Sequence, residues 1–484
     1  MTETRGNTPG ITRDAQTRPN PPRLWWLKRL SLAGLFLIVA LAALRWWWGH
    51  EAQRRMDAMI AAAHAKGEPI LPEDFDFPPV PDAENAAIPL KQAEAGINPR
   101  GKEWAFADGL SEIKPPLSQA DVTHIQAAMQ IHSSELQLVR SARGRTKVDW
   151  GFRFSRSEDY WFSRAVVDFG PEQNLARLLY WSALAEQAAG HDSQSIEYTR
   201  DLLFLARVDA KRAPFLLGAL VNQGIQAVGT RSARQQAIDL KLSDSPSPAT
   251  EEQVRALIAE LLDDSWFAEM ESRAFLGQRA FALARPAVDA QAQLPLKPLA
   301  NLSLPVYQLI EADVAYQLSR AAEAALEPSY PSALSKLPPQ SSERSGSGLE
   351  YLSKGGDAPL EAPEIRRPVE NQFWAVTERR AAAVMLALRL YCDKHQGRLP
   401  ATLGDLVPDY LKALPADPFA ADGRSFGYLP MRQPPAIYSV GENGKDEGGS
   451  EPPRRQRSLT RQPDAPDAVF PLRPDGPAEI PDTQ

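Results

Sequence analysis

Cysteine and histidine are scarce in this chain. Cys392 is the only cysteine among 484 residues, so a disulfide within the chain is excluded in any compartment. The six histidines are scattered, and no two stand at the spacing of metal ligands, which argues against a zinc site of the Cys/His type. Stability must therefore come from apolar burial, for which a hydrophobic content of 43% is ordinary.

The familiar catalytic motifs are also missing. The sequence has no G-x-S-x-G, no G-x-x-x-x-G-K-[ST], no G-x-G-x-x-G and no H-E-x-x-H. A formal S-x-x-K match, Ser111 to Lys114, runs into two prolines and lacks its partner motifs. Glu269 and Glu271 stand two apart in a predicted helix, project about 200° apart, and are interpreted as surface charges. No catalytic or cofactor-binding residue is predicted.

Charge is unevenly distributed along the chain, whose net charge is −7. Residues 1–29 carry six Lys or Arg and two Asp or Glu, a net of +4, whereas residues 50–484 carry a net of −12. An acidic body gives no electrostatic reason to expect a nucleic-acid partner. The 43 prolines cluster between Pro69 and Pro116 and again after Pro338, which marks connecting segments.

An apolar run between tryptophans predicts a membrane anchor. Fifteen uncharged residues run from Leu30 to Leu44, with basic residues at both ends that lengthen the span by snorkelling. Tryptophan prefers the headgroup region, and five tryptophans flank the run: Trp25, Trp26, Trp46, Trp47 and Trp48. We therefore predict one transmembrane helix over residues 30–48.

The alternative to an anchor is a cleaved signal peptide, because Ala40-Leu41-Ala42 fits the small-x-small cleavage pattern. The positive-inside rule places the basic tail, residues 1–29, in the cytoplasm. The predicted location is the bacterial cytoplasmic membrane, with a single span and the bulk of the chain outside the cytoplasm.

Helical periodicity dominates the middle of the chain. A juxtamembrane helix over Glu51–Lys66 and a Pro-rich linker occupy residues 49–116, and an α-helical domain follows over 117–337. An apolar stripe with spacings of three and four predicts a helix capped by Ser118; its members are Val122, Ile125, Met129, His132, Leu136 and Val139. His132 is interpreted as a core histidine.

Three consecutive helices are predicted over Glu172–Ile238, with Pro214 at the first position of the third. The helix hairpins loosely resemble tetratricopeptide-type repeats, without a clean 34-residue period. Such an irregular, repeat-derived domain is typical of a groove for a peptide or protein partner. A platform that only positions the C-terminal part of the chain is the other interpretation.

The pattern changes after a Ser/Gly/Pro-rich linker at residues 338–370. One apolar helical face is followed by short strands near Phe426–Leu429, Ile437–Val440 and Ala468–Leu472. The predicted fold class is therefore mainly α with a small C-terminal α+β module over residues 371–472 and a disordered tail at 473–484. The linker has nothing to bury, so the module is expected to fold on its own.

Three segments of this module carry a family resemblance: LRLYCDKHQGRLPATLGDLVPDYL, then LPADPF, then YSVGENGKDEGG. Together they resemble the soluble half of the type II secretion major pseudopilin. In that family a long helix packs on a small antiparallel sheet, and a loop after the matching strand binds calcium. The whole arrangement, with one span far upstream of the module, also resembles single-span bacterial envelope proteins without an assigned activity.

The resemblance implies a calcium site in the loop 441–449. The loop offers Asn443, Asp446 and Glu447, whose oxygens suit a hard cation, and its glycines permit tight curvature. The function predicted is a non-enzymatic, membrane-anchored envelope protein that engages protein partners, linked to a type II secretion-like or surface-assembly system. The alternative is an extracytoplasmic enzyme whose active site, on the helical domain, matches no motif.

Overall fold

Helices dominate the part of the chain that the computed structural model describes, which is residues 24–97, 117–154, 170–284, 297–338, 365–450 and 467–472. The helices are α1 (Trp25–Lys66), α2 (Ala87–Gly96), α3 (Gln119–Ile131), α4 (Ser133–Ala142), α5 (Gly170–Ala188), α6 (Asp192–Asp209), α7 (Leu216–Asp239), α8 (Glu251–Leu262), α9 (Ser265–Ala284), α10 (Lys297–Ala325), α11 (Tyr330–Lys336) and α12 (Arg366–Lys394). Short 3-10 turns lie at Pro72–Phe75 and Leu403–Leu406. The predicted fold class is confirmed. The Ser111–Lys114 match and the tail 473–484 lie outside the described residues.

The C-terminal sheet has three short antiparallel strands, β1 (Gly427–Leu429), β2 (Ala436–Ser439) and β3 (Ala468–Pro471), in the order β1-β2-β3. Gly427 pairs with Tyr438, and a Cβ at Gly427 would lie only 2.1 Å from the Tyr438 ring. Glycine is therefore required there, because the aromatic ring covers the strand where a side chain would project.

A local signal places the start of α3 correctly, whereas another misplaces the start of α7. The Ser118 hydroxyl accepts a hydrogen bond from the Asp121 amide at 3.1 Å, which confirms the predicted cap of α3. The predicted stripe continues through α3 and α4, although the helix breaks at His132, which is buried. Pro214 is not in α7, contrary to expectation: its carbonyl packs against Gly277 of α9, and the helix begins only at Leu216.

The helices α5, α6 and α7 confirm the three predicted between Glu172 and Ile238, and they pack on one another in sequence. Between them lies a buried polar cluster. Gln236 donates to the hydroxyls of Ser195 and Thr199, each at 2.7 Å, and Ser195 donates to the Ala183 carbonyl. Hydrogen-bonded polar groups inside a helical stack fix the relative positions of its helices.

Helix α12 is the central element of the body. Its residues Ala381–Leu388 are all buried, so this stretch is apolar on every side. It packs against α7 and α8 on one side and contacts β2 on another. One apolar cluster accordingly contains Leu257 of α8, Val384 of α12 and Ile437 of β2.

The expected boundary at residues 338–370 does not separate two cores. Helix α12 begins at Arg366, inside the predicted linker, and its apolar residues are shared between the α-helical domain and the sheet. The shared cluster argues against independent folding of the module over 371–472, which stays a prediction to be tested. Sequence periodicity identified the helix but not its partners, because contacts across 100 or more residues leave no local signal.

Helix α1 is a continuous helix that carries the apolar run and extends into the body. It is long and apolar enough to cross a membrane, and its most apolar window is not buried at all. Large apolar side chains such as Phe36 (76% exposed) project outward from it. Beyond the tryptophans, Ala52, Met59 and Ala63 are buried against α10. The predicted juxtamembrane helix is thus the second half of the same helix.

Candidate functional site

An open groove of about 580 Å³ runs between the α3–α4 pair on one side and the α5–α6 hairpin on the other. Its lining is mostly polar and rich in glutamine. The lining residues are Gln126, Met129, Gln130, Ser133, Leu136, Gln137, Arg140, Glu186, Gln194 and Tyr198.

Helical periodicity builds the α3–α4 wall. Gln126, Gln130, Ser133, Gln137 and Arg140 are spaced by four, three, four and three residues, so they share one face. That face is offset by one position from the apolar stripe that buries the same helices. The apolar stripe was predicted from the sequence and the polar face was not, although both have the same period.

Arg140 is held in place at one end of the groove. Its guanidinium binds the buried Asp201 carboxylate in a forked arrangement, with nitrogen–oxygen distances of 2.7 and 3.0 Å from Nε. Asp201 also accepts a hydrogen bond from Arg143 at 2.8 Å. One carboxylate thus serves two guanidinium groups, and Arg140 keeps an exposed fraction of 37% through which to contact a ligand.

The opposite wall carries an acid and an aromatic ring. Glu186 Oε2 lies 2.7 Å from His191 Nδ1, within hydrogen-bond distance. The Arg140 guanidinium lies 5.8 Å from the centre of the Tyr198 ring. Burial raises the pKa of Tyr198, so its hydroxyl stays protonated at neutral pH and remains a donor. The groove therefore offers one positive end, one negative wall and several neutral amides.

The predicted calcium residues lie in one loop after β2, but each already has partners. Asp446 accepts hydrogen bonds from the Gly448 amide at 3.0 Å and the Tyr438 hydroxyl at 2.9 Å, and it pairs with Arg424 at 3.0 Å. These contacts, the Gly448 amide first, hold the pKa of Asp446 below its usual value.

The other two predicted ligands pair with each other. Asn443 donates to Glu447 at 2.9 Å, and its side-chain oxygen accepts from the Lys445 amide. Among the described residues no group of three or more His, Cys, Asp or Glu side chains is arranged to hold a metal ion. The oxygen donors have the right chemistry for calcium, but the ion would have to compete with Arg424. Calcium binding stays a prediction.

Of the two glutamates interpreted as surface charges, only Glu269 is exposed; Glu271 is completely buried, and the expectation for it was wrong. Gln223 of α7 donates to its Oε1. Burial raises the pKa of Glu271 to about 8, so the carboxyl is mostly protonated at neutral pH. The two side chains do project in nearly opposite directions from the helix, and for Glu271 that direction is toward α7.

A second group of buried acids surrounds Arg212, at the end of α6. The guanidinium pairs with Glu94, with Glu172 at 3.3 Å and with Asp209 at 2.7 Å, and it stacks 3.8 Å from the centre of the Trp150 ring. Burial raises the pKa of Glu172 to about 8. The cluster joins α2, α5 and α6 in a closed interior, which fits a structural role better than access to a substrate.

No family model, curated protein or solved structure matches the chain. The functional inference therefore rests on the geometry of the groove and on the long apolar helix.

Proposed function

We propose that the protein is a single-pass envelope protein of the bacterial cytoplasmic membrane that binds protein partners and has no enzymatic activity of its own. Its N-terminus would lie in the cytoplasm and its body outside. Support for the anchor comes from α1, whose apolar window has a mean hydropathy of 2.0 and no burial in the body.

The groove between α3–α4 and α5–α6 is the observation that carries the binding proposal. Glutamine amides both donate and accept hydrogen bonds, so Gln130, Gln137 and Gln194 suit the peptide groups of an extended chain. Arg140 and Glu186 would select charged residues of opposite sign at the two walls. The occupant proposed is an extended segment of a partner protein with at least one acidic residue, which would face Arg140.

The C-terminal module supports the proposed link to a type II secretion-like or surface-assembly system. It combines a long helix, three antiparallel strands and an acidic Gly-rich loop, as the resemblance implies for a pseudopilin-like unit. In this protein that helix is also the centre of the body. The module would accordingly be a fixed part of a binding protein, and its role would be to present a pseudopilin-like surface.

The test begins with photo-crosslinking from the native membrane. A photoreactive amino acid replaces Gln130 in one variant and Gln119, which is exposed on α3 outside the groove, in the matched control. We expect a protein adduct from position 130 and none from position 119, with the crosslink mapping to one acidic, extended segment.

A synthetic peptide of that segment then gives the decisive measurement on the purified full-length protein in lipid nanodiscs. Arg140→Ala and Gln137→Ala should each weaken peptide binding by about tenfold, which corresponds to ~1.4 kcal/mol, while Gln119→Ala leaves Kd unchanged. Equal Kd values in all three variants would overturn the groove as the binding site.

A further inference from the structure

Three buried carboxyl groups share one guanidinium at the end of the α5–α6 hairpin that lies opposite its connecting loop. Glu94 of α2, Glu172 of α5 and Asp209 of α6 are each exposed by 9% or less, and Arg212 pairs with all three. These four residues are called the Arg212 cluster below. One guanidinium balances one negative charge, and a buried carboxylate without a counter-charge costs several kcal/mol of free energy.

The described groups that face the cluster leave an excess of one negative charge. Lys91 of α2, which is exposed, donates to the Trp150 carbonyl beside the cluster. Arg153 is paired with Asp149 at 2.7 Å, so these two charges cancel. From α7 the neighbour is the neutral amide of Asn222. The acids Glu94, Asp149, Glu172 and Asp209 thus outnumber the bases Lys91, Arg153 and Arg212 by one.

Glu172 is the acid placed to hold a proton in the closed cluster. It is completely buried, and its pair with Arg212, at 3.3 Å, is the longest of the three. Its Oε1 has no hydrogen-bond partner among the described residues, so ionisation would leave a charged oxygen buried and unsatisfied. Burial, more than any neighbouring charge, raises the pKa of Glu172 to about 8.

Helix α2 connects the cluster to one wall of the groove. At one end the Ala86 amide donates to the Lys147 carbonyl at 2.9 Å, shortly after α4, and at the other end Gly96 lies against the Glu135 side chain. Helix α2 therefore lies antiparallel along α4, which lines the groove. The two helices share one apolar cluster that includes Leu90, Ala93, Leu136 and Val139. Opening of α2 would remove this support from the α4 wall.

We propose that the Arg212 cluster is a pH-sensitive switch that holds α2, and through it the α4 wall of the groove, against α5 and α6 while a proton is bound. Loss of the proton in alkaline medium makes the opening of α2 more frequent. Regulation of the groove rests on the proposed function, whereas the switch itself requires only the fold.

The size of the effect follows from the titration of Glu172. Its pKa is about 8 in the closed cluster and returns toward 4.5 when α2 opens. The contribution of the bound proton to the closed state is therefore greatest below pH 4.5 and is lost as the pH rises through 8. Between pH 7 and pH 8.5 the ratio of closed to open α2 should fall about eightfold.

The experiment is hydrogen–deuterium exchange with mass spectrometry on the full-length protein in lipid nanodiscs at pH 7 and pH 8.5. Each exchange rate is divided by the rate of a free amide at the same pH, which gives a protection factor. Glu172→Gln keeps the shape of the side chain without a titrating group. Glu271→Gln is the matched control, because its buried carboxyl has the same raised pKa but lies on α9.

We expect the protection of α2 and α4 to fall about eightfold at the higher pH in the wild type and in Glu271→Gln, and to stay constant in Glu172→Gln. Helix α8, which lies outside the cluster, should keep its protection in all three proteins. The wild-type result tests the switch even if Glu172→Gln does not fold.

Protection of α2 that is independent of pH in the wild type would overturn the switch. An equal fall in Glu172→Gln, or in α8, would overturn it as well, since the loosening would then arise elsewhere. A fall confined to α2, with α4 unchanged, would overturn the link to the groove. Failure of the partner peptide to bind at both pH values would overturn the proposed function and leave the switch standing.

Discussion

Glu269 and Glu271 show how the position on a helix decides the state of a carboxyl group. Glu269 is exposed, whereas Glu271 is buried and its pKa rises from 4.5 to about 8. Between these pH values the folded protein binds a proton that the unfolded chain releases. The contribution of Glu271 to stability is therefore greatest below about pH 4.5 and declines as the pH rises toward 8.

Glu271→Gln should remove this pH dependence. The substituted amide keeps the shape and the oxygen that accepts from Gln223, but it has no charge to bury. We expect the variant to be more stable than the wild type at pH 8 by about 1–3 kcal/mol and to differ little at pH 5. Chemical unfolding at the two pH values measures the difference. Glu269→Gln is the matched control, and equal pH slopes for all three proteins would contradict the buried-acid explanation.

Arg424 decides how readily Asp446 meets a cation. Because the guanidinium occupies Asp446 Oδ2, wild-type protein should show only a small rise in unfolding temperature in millimolar calcium relative to chelator. Arg424→Gln should enlarge that rise, and Asp446→Ala should abolish it. Differential scanning fluorimetry in nanodiscs measures all three. If calcium leaves both the wild type and Arg424→Gln unchanged, the loop 441–449 is an ordinary turn.

At the scale of elements, Arg379 of α12 closes the end of α8. This arginine is 1% exposed and donates to the carbonyls of Leu261 at 3.1 Å, Glu260 at 2.5 Å and Asp263 at 3.2 Å. The last carbonyls of a helix have no partner within the helix, and here a side chain from another element supplies the donors. Burial lowers the pKa of Arg379 to about 10, which still leaves it charged at neutral pH.

Arg379→Met should therefore be costly although it keeps an apolar stem of similar length. Three buried carbonyls lose their donor, and we expect a loss of about 2–4 kcal/mol in the free energy of unfolding. Its neighbour Arg380 binds Asp264 in a partly exposed pair, and Arg380→Ala should cost only about 1 kcal/mol. Urea unfolding measures the free energy of unfolding of both variants. Similar losses would show that the hydrogen bonds from Arg379 to the end of α8 stabilise the protein no more than the Arg380–Asp264 pair does.

At the scale of the whole molecule, the shared core predicts that the C-terminal part cannot be detached. A protease site inserted within residues 341–347 permits a cut in the segment predicted as a linker. We expect the two pieces to stay together after cleavage, because Ala381–Leu388 of α12 is buried on all sides, partly by α7 and α8.

Size-exclusion chromatography of the cut protein in detergent measures the association, and urea titration of the isolated piece 365–484 should show no cooperative transition. Separation into two folded pieces would restore the independent module. The wild-type protein, which carries no inserted site, is treated with the same protease as a control for cleavage elsewhere in the chain.

Sequence patterns predicted what is local and missed what depends on distant partners. The cap at Ser118, the helices α5 to α7 and the three strands follow from spacing and turn chemistry, and each lies within a few residues of its prediction. Burial of Glu271 and the central position of α12 depend on helices far away in the sequence. One clue was present: the run Ala381–Leu388 has no polar face, which is typical of a helix buried on all sides.

The groove illustrates the same limit. The spacing of Gln126, Gln130, Ser133, Gln137 and Arg140 identifies a polar face, but only the fold places Glu186, Gln194 and Tyr198 opposite it. A row of exposed glutamines on a helix is ordinary in a soluble protein. It acquires a binding interpretation only when a second wall stands at the right distance.

If α1 anchors the protein as proposed, its unbroken course determines how the body can move relative to the membrane. At 42 residues it is about 63 Å long, and it continues into the body without a flexible break at the proposed membrane surface. A body on a flexible linker would take many orientations above the membrane, whereas a body on a continuous helix stays at a constant distance from it. Such a body can only rotate about the helix axis and tilt together with the helix. A partner must then present its segment at a defined height above the lipid. The same rigidity would let a change in bilayer thickness reach the groove as a change in inclination.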